Sequence, residues 1–320
     1  MEENLSKRVL PYITIEEAAR QELRYIKGRM DGNIKSLKTP WRKFNEASMN
    51  GVEWGSIVTI AGMSGSGKTA VLNEMETGLF EMNPHEKFAV LSFNFEMIAR
   101  RLVGRKISKN LNMSVKQMYN ADLAEPTKNL TKAQYNKAID YAFSIKDNPV
   151  WYVDIPGTVQ EIKNTIEYFA MGMEENLDRG ILVTLDHSVL VKKMGEQKTL
   201  EVLYELSAMF NEMKKKIKSS YVIVSQLNRG IENTERIQNK NLHYPQKSDV
   251  FGADALYQYS DVFMVTHRPE MLNIPENGYG PEDWAVKDII YWHYLKTRDG
   301  DPMVAKMRNL LKYNRVIDYD

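Results

Sequence analysis

The sequence predicts an α/β fold, a mostly parallel twisted sheet flanked by helices with one helix ahead of it. Three observations carry this. From residue 50 onward, apolar runs alternate with stretches of helical periodicity. The first of these runs ends in a glycine-rich loop that opens a helix. A later apolar run, residues 181–185, is followed at once by Asp186.

Taken in order, residues 1–13 read as a frayed arm. Thr14 and Glu17 then stand at capping-box spacing. Ile15, Ala19, Leu23, Ile26 and Met30 form one apolar stripe, and Asp31-Gly32-Asn33 ends the helix. That helix either packs on its own domain or docks on a neighbouring subunit. The expected boundary leaves an arm and linker helix over 1–45 and a main domain over 46–320. In the main domain, strands are expected at 56–60, 88–93, 150–154, 181–185, 221–224, 261–266, 289–295 and near 312–317. Helices are expected at 69–82, 97–110, 115–119, 131–145, 158–176 and 200–218. In the last of these Leu203, Leu206, Phe210 and Met213 share a face. Residues 228–252 are polar and read as a mobile loop. Lys214, Lys215, Lys216 and Lys218 fall where a helix C-terminus favours cations, a structural role.

Composition removes several function classes. The 320 residues are 43% hydrophobic and 27% charged, which excludes a disordered or collagenous chain. Lys+Arg 43 against Asp+Glu 42 gives a net charge of +1, so a uniformly basic nucleic-acid coat is excluded. Cysteine is absent, which excludes disulfides, thiolate metal sites and a Cys nucleophile. No apolar run reaches the roughly 18 residues of a membrane span, and the N-terminus has no signal-peptide core. The expectation is a cytoplasmic protein with no membrane partner.

The loop Gly62-Met63-Ser64-Gly65-Ser66-Gly67-Lys68-Thr69 fits G-x-x-x-x-G-K-S/T. Its glycines let successive N–H groups curl toward phosphate oxygens, and the following helix adds its positive end. Lys68 would neutralise the β/γ-phosphates of ATP or another NTP, and the Thr69 hydroxyl would hold Mg²⁺. A carboxylate at Asp186 would support the metal through its water shell. Glu96, after the strand at 88–93, is the candidate for orienting an attacking water. Ser225-Gln226 closes the strand at 221–224. An amide there can contact the γ-phosphate and report its loss to the loop that follows.

These pieces, in this order, resemble the C-terminal motor domain of the DnaB-type replicative hexameric helicases of superfamily 4, over about residues 14–320. The loop continues as Gly67-Lys68-Thr69-Ala70, similar to the family's G-K-T-A. Ser92-Phe93-Asn94-Phe95-Glu96-Met97 resembles its S-L-E-M box, and Leu185-Asp186-His187-Ser188-Val189-Leu190 its I-D-Y-L-Q-L strand. Ser225-Gln226-Leu227-Asn228-Arg229 matches S-Q-L-N-R throughout. Lys296-Thr297-Arg298-Asp299-Gly300 resembles K-x-R-x-G. The resemblance implies a RecA-like P-loop NTPase that forms a homo-oligomeric, hexameric ring and moves on single-stranded DNA. It implies that Lys296 and Arg298 act in trans on the nucleotide of the adjacent subunit, and that the helix at 15–30 is the family's linker helix. The family's primase-recruiting N-terminal domain finds no room in 320 residues, so a primase or loader is expected as a separate chain.

One segment departs from the family. Ser248, Asp249, Gln258 and Asp261 keep the frame of S-D-I-R-E-S-G-x-I-E-Q-D-A-D, but R-E-S-G has become Phe251-Gly252-Ala253-Asp254. Backbone N–H groups suffice there, or Phe251 stacks on a base, or Phe251 is buried, or DNA is not gripped in the usual way. Other candidate DNA contacts are Lys192, Lys193, Lys198, Arg229, Arg236, Lys240 and Lys247. Repeated around a ring, such cations could hold a phosphate backbone despite a neutral monomer. The main alternative is a RecA-fold DNA-dependent ATPase, recombinase-like or clock-type, that assembles without unwinding. A nucleotide-dependent oligomeric scaffold is a third, opposed by Glu96.

Overall fold

The computed structural model describes residues 10–120, 129–174 and 179–319. Most of the arm expected over 1–13 lies outside the described residues, as does the end of the helix expected at 158–176. The chain divides into two compact units, Met1–Ser36 and Leu37–Asp320.

The first unit is built on α1 (Ile15–Met30). Thr14 Oγ1 accepts the Glu17 N–H at 3.2 Å. The Glu17 carboxylate does not reach back to complete a capping box and instead accepts from Gln21 Nε2 at 3.1 Å. Gly32, at φ +71°, turns the chain, and the N–H groups of Asn33 and Ile34 both return to the Gly28 carbonyl, at 2.8 and 2.9 Å. The predicted apolar stripe is exposed along its length, from Ile15 at 90% to Met30 at 81%.

The second unit starts at Leu37 rather than at residue 46. Its first helix, α2 (Arg42–Ala47), lacks an obvious sequence signal and is fixed by aromatic packing instead. Trp41 meets Trp292 edge-on at 5.2 Å and donates from Nε1 to the Val316 carbonyl at 2.7 Å. Phe44 is fully buried.

The sheet has nine strands among the described residues, in the order β3-β2-β4-β5-β1-β6-β7-β8-β9. β1 (Ile57–Gly62), β2 (Phe88–Asn94), β3 (Val150–Val153), β4 (Gly180–Asp186), β5 (Ser219–Gln226) and β6 (Val262–His267) pair in parallel. β7 (Ile289–Thr297), β8 (Met303–Leu310) and β9 (Arg315–Asp318) extend the sheet antiparallel. β1, β2 and β4 are buried throughout, which is why they read as continuous apolar runs. β8 was not anticipated, because it alternates: Ala305 and Met307 face inward while Arg308 is exposed.

The buried parallel strands β1, β2, β4, β5 and β6 divide their side chains between two cores. Val58, Ile60 and Leu182 face a core with α2 and α3 (Lys68–Met82), whose Val71, Leu72, Met75 and Leu79 are buried. Burying each of those side chains contributes about 1.5–3 kcal/mol. Ile57, Ala61, Val183 and Leu185 face the other core, with α7 (Val159–Glu174), α8 (Thr199–Met213) and the unanticipated α10 (Ala253–Tyr259). The parallel register brings the strand tips to one edge: Gly62 lies opposite Gln226, and Asn94 opposite Asp186.

Candidate active site

At that edge the loop after β1 curls tightly, with Gly65 and Gly67 at positive φ and no room for a side chain at Gly62. A Cβ on Gly62 would lie 2.3 Å from Ser66 Oγ and 2.6 Å from the Thr266 carbonyl. Gly67 has φ +99°, and its Cβ would lie 2.9 Å from the Leu311 side chain. The end of β6 pins the loop from the side: Thr266 Oγ1 donates to the Ser66 carbonyl at 2.9 Å, and Arg268 Nη1 to the Gly65 carbonyl at 2.8 Å. Ala70 is buried on the first turn of α3.

Lys68, Asp186 and Glu96 form the charged centre of the site. Lys68 Nζ donates to the Met63 carbonyl at 2.7 Å. Burial lowers the Lys68 pKa to about 8, against the opposing pull of Asp186 and Glu96. Asp186 is 2% exposed, and burial raises its pKa to about 6, partly offset by a hydrogen bond from Thr69. The Phe95 N–H donates to the Asp186 carbonyl at 2.7 Å, which ties the approach to Glu96 to the tip of β4. Glu96 itself is exposed, and His187 Nε2 stands 3.9 Å from its carboxylate. Burial lowers the His187 pKa, keeping the ring neutral.

This geometry fits Mg²⁺. The Thr69 hydroxyl and the Asp186 carboxylate meet at the root of α3, and Asp186 Oδ1 is buried with no hydrogen-bond partner. Both are hard oxygen donors, which Mg²⁺ prefers.

An open cleft of about 410 Å³ brings together Ser64, Gly65, Gly67, Lys68, Thr69, Glu96 and Gln226. It also contains Arg105, His187, Leu311 and Asn314, which sequence reasoning did not select. Leu311 and Asn314 come from the turn between β8 and β9, so no local pattern could have found them. Arg105 faces the cleft from α4 (Ala99–Asn110) between the buried Leu102 and Lys106.

Gln226 connects the cleft to the polar loop. Its carbonyl accepts the Phe251 N–H at 2.9 Å. Leu227 bridges Val250, and Asn228 Nδ2 donates to the Ser248 carbonyl at 2.7 Å. The intervening loop, expected to be mobile, is folded through short helical turns capped by Asn228, Asn233 and Asn239. Arg236 organises it, pairing with Asp249 and donating to the carbonyls of Leu242 and Tyr244 at 3.0 and 2.9 Å. At 16% side-chain exposure, Arg236 is committed to the loop's interior and not to a surface contact. Lys240 pairs with Asp283. Lys247 pairs with Asp254 at 2.7 Å and lies over the Tyr257 ring. Lys192, Lys193, Lys198 and Arg229 are exposed. Phe251 is 40% exposed, which removes the buried reading.

Lys296 and Arg298 are not brought into this cleft. They close β7 beside Phe263 and Val262, whereas the loop end of β6 is Thr266, paired with Gly62. Four residues of strand separate the two ends, roughly 13 Å at ~3.3 Å per residue. Lys296 Nζ donates to the carbonyls of Tyr257 and Gln258 at 2.7 and 3.2 Å. Arg298 Nε contacts Asp261 Oδ1 at 3.0 Å, and the side chain is 55% exposed.

The family model for the DnaB-like helicase C-terminal domain matches residues 36–317. Among solved structures, the ATPase domain of G40P superposes with a TM-score of 0.78 at 17% identity, covering 97% of this chain and 100% of that one. A DnaB-like replicative helicase, described with its interactions with primase, gives 0.77 at 17% identity, covering 99% of this chain and 69% of that one. A KaiC-like protein from the hyperthermophilic archaeon Pyrococcus horikoshii gives 0.54 at 13% identity, over 90% of this chain and 100% of that one. A search of curated proteins gives no match. The fold is that of RecA-like helicase ATPase domains.

Proposed function

Because the chain belongs to the DnaB-like helicase C-terminal domain family, we propose that it is the ATP-driven motor of a ring-shaped helicase. The motor moves on single-stranded DNA and separates duplex during replication, in the cytoplasm. The observation that carries this reading is the split site. Lys68, Thr69, Glu96 and Gln226 share one cleft, while Lys296 and Arg298 lie at the opposite end of the strands, as a role on another subunit's nucleotide would require.

In the proposed cycle the loop N–H groups and Lys68 hold the β/γ-phosphates. Thr69, with Asp186 through the water shell, would hold Mg²⁺, which would supply positive charge against the phosphates. Glu96, exposed at the cleft, orients the attacking water and takes its proton. Arg298 of an adjacent subunit stabilises the transition state, a contribution worth roughly 10³–10⁵ in rate in other nucleotide hydrolases. Lys296 would assist it after leaving the Tyr257 and Gln258 carbonyls. Gln226 senses the γ-phosphate, and its carbonyl bond to Phe251 carries the change into the 228–252 loop. Exposed Lys192, Lys193, Lys198, Arg229 and Phe251, with Lys247, would line the DNA path; Arg236 supports the loop from within. The exposed stripe of α1 would dock on a neighbouring subunit, and a primase or loader would act as a separate chain.

Lys68→Ala tests the site. Turnover of ATP should fall to background, because the phosphates lose their main counter-charge. Substantial turnover in that variant would refute the assignment.

A further inference from the structure

On the sheet edge away from the phosphate loop, one carboxylate joins three elements. Asp261 stands just before β6. Its Oδ1 forms an ion pair with Arg298, 3.0 Å from Nε. Its Oδ2 accepts from Lys214 Nζ and from the Ile57 N–H, each at 2.8 Å. The backbone closes the same junction: the Asp261 N–H donates to the Ile57 carbonyl and the Arg298 N–H to the Asp261 carbonyl, both at 2.8 Å. Arg298 is therefore held by its main chain and its side chain to one residue.

The environments of the three charges differ. The side chains of Asp261 and Lys214 are 15% and 11% exposed, whereas that of Arg298 is 55% exposed. Water competes poorly for the carboxylate, which strengthens its charge-assisted bonds. A free surface arginine samples many rotamers, and a finger must present its guanidinium in one. The carboxylate stands at the Nε edge of the guanidinium and restrains where the group can lie. Lys214, at the C-terminal cap of α8, balances the carboxylate, so the junction keeps a net positive charge toward a bound phosphate.

We propose that Asp261 is the positioning residue for Arg298, holding the guanidinium by ion pairing so that it meets the nucleotide of an adjacent subunit. This rests on the reading of Arg298 as a group acting in trans.

Asp261→Asn keeps an acceptor for the Ile57 N–H and removes the charge that orients Arg298. Homomeric Asp261→Asn should hydrolyse ATP with kcat lowered about 10²-fold, the order lost when a catalytic group is misplaced, and with KM unchanged. The deciding experiment mixes Asp261→Asn with Lys68→Ala subunits. Where an intact loop from an Asp261→Asn subunit meets an intact Arg298 from a Lys68→Ala subunit, the site is native, at about a quarter of the junctions in a cyclic ring. Hydrolysis should then rise well above that of either variant alone. No recovery would overturn the proposal, because an effect on the subunit's own loop through β1, or on folding, cannot be complemented. Arg298→Ala mixed with Lys68→Ala runs in parallel. If that pair fails to recover, the trans reading itself falls; if it recovers and Asp261→Asn does not, only the role of Asp261 falls. Asp261→Ser, a smaller neutral side chain, carries the same test should the asparagine variant melt early.

Discussion

Glu76 and Lys106 form a buried ion pair, and breaking it should be severe where replacing it is mild. Their side chains are 1% and 2% exposed, with Nζ and Oε2 3.1 Å apart. Lys106 Nζ also donates to the Asn73 carbonyl at 2.6 Å. The Ser92 hydroxyl donates to Glu76, as does Thr184 Oγ1 at 3.0 Å. The network thus joins the helix that carries Lys68 to β2, which leads to Glu96, and β4, which ends in Asp186. Burial lowers the Lys106 pKa, with Glu76 the main opposing influence. Glu76→Leu leaves that ammonium buried and unpaired, at a cost of about 3–5 kcal/mol. Against a typical stability of about 5–15 kcal/mol, that is a large fraction. Glu76→Leu with Lys106→Met removes both charges, and the freed Thr184 hydroxyl can then donate to Ser92 Oγ, 2.7 Å away. The double variant should lie within about 2 kcal/mol of the parent. Urea denaturation reads this directly, with the single variant's midpoint lowered by more than about 1 M and the double variant's largely restored. Additive losses, or a single variant within about 1 kcal/mol of the parent, would refute the reasoning.

Two further predictions concern other parts of the chain. His267 is fully buried with neither ring nitrogen hydrogen-bonded, and burial lowers its pKa to about 3. The unfolded chain therefore binds a proton below pH ~6.5 that the folded one refuses, and stability falls as pH drops from there toward 3, by about 1.4 kcal/mol per pH unit for this group. The raised pKa of Asp186 works in the opposite direction, so the comparison to make is parent against His267→Leu, whose denaturation midpoints should decline less steeply between pH 6.5 and 5; parallel declines would contradict it. In the DNA path, Phe251→Ala should weaken single-stranded DNA binding by about 1–3 kcal/mol with an unchanged salt slope, as loss of stacking does, whereas Arg229→Ala should reduce that slope by about 1. Anisotropy of a labelled oligonucleotide across a salt series separates the two, and no loss with Phe251→Ala would mean that the altered segment grips DNA, if at all, through its backbone.

The parts legible in the sequence are those whose signal is local. The phosphate loop is a contiguous motif, and the buried parallel strands read as apolar runs because both faces are covered. Asp186 and Gln226 were legible as strand-end residues, and the common register of the parallel strands then aligns them. What escaped depends on distant partners. Leu311 and Asn314 enter the cleft from a turn near the end of the chain. α2 is fixed by Trp292 and Tyr294, far along the sequence. β8 alternates because only one of its faces is buried. The commitment of Arg236 to Asp249 and two carbonyls is a property of the folded loop, and a lone arginine in a polar stretch carries no mark of it. Lys214, legible as a helix-end cation, also turned out to pair with Asp261.

In the proposed motor, hydrolysis in this cleft drives motion along DNA. ATP hydrolysis measured with and without single-stranded DNA, beside strand separation of a forked duplex, tests it most directly. DNA-stimulated hydrolysis together with unwinding is expected, both lost in Lys68→Ala. Stimulation without unwinding would contradict the motor and favour a DNA-assembling ATPase, and hydrolysis indifferent to DNA would contradict both.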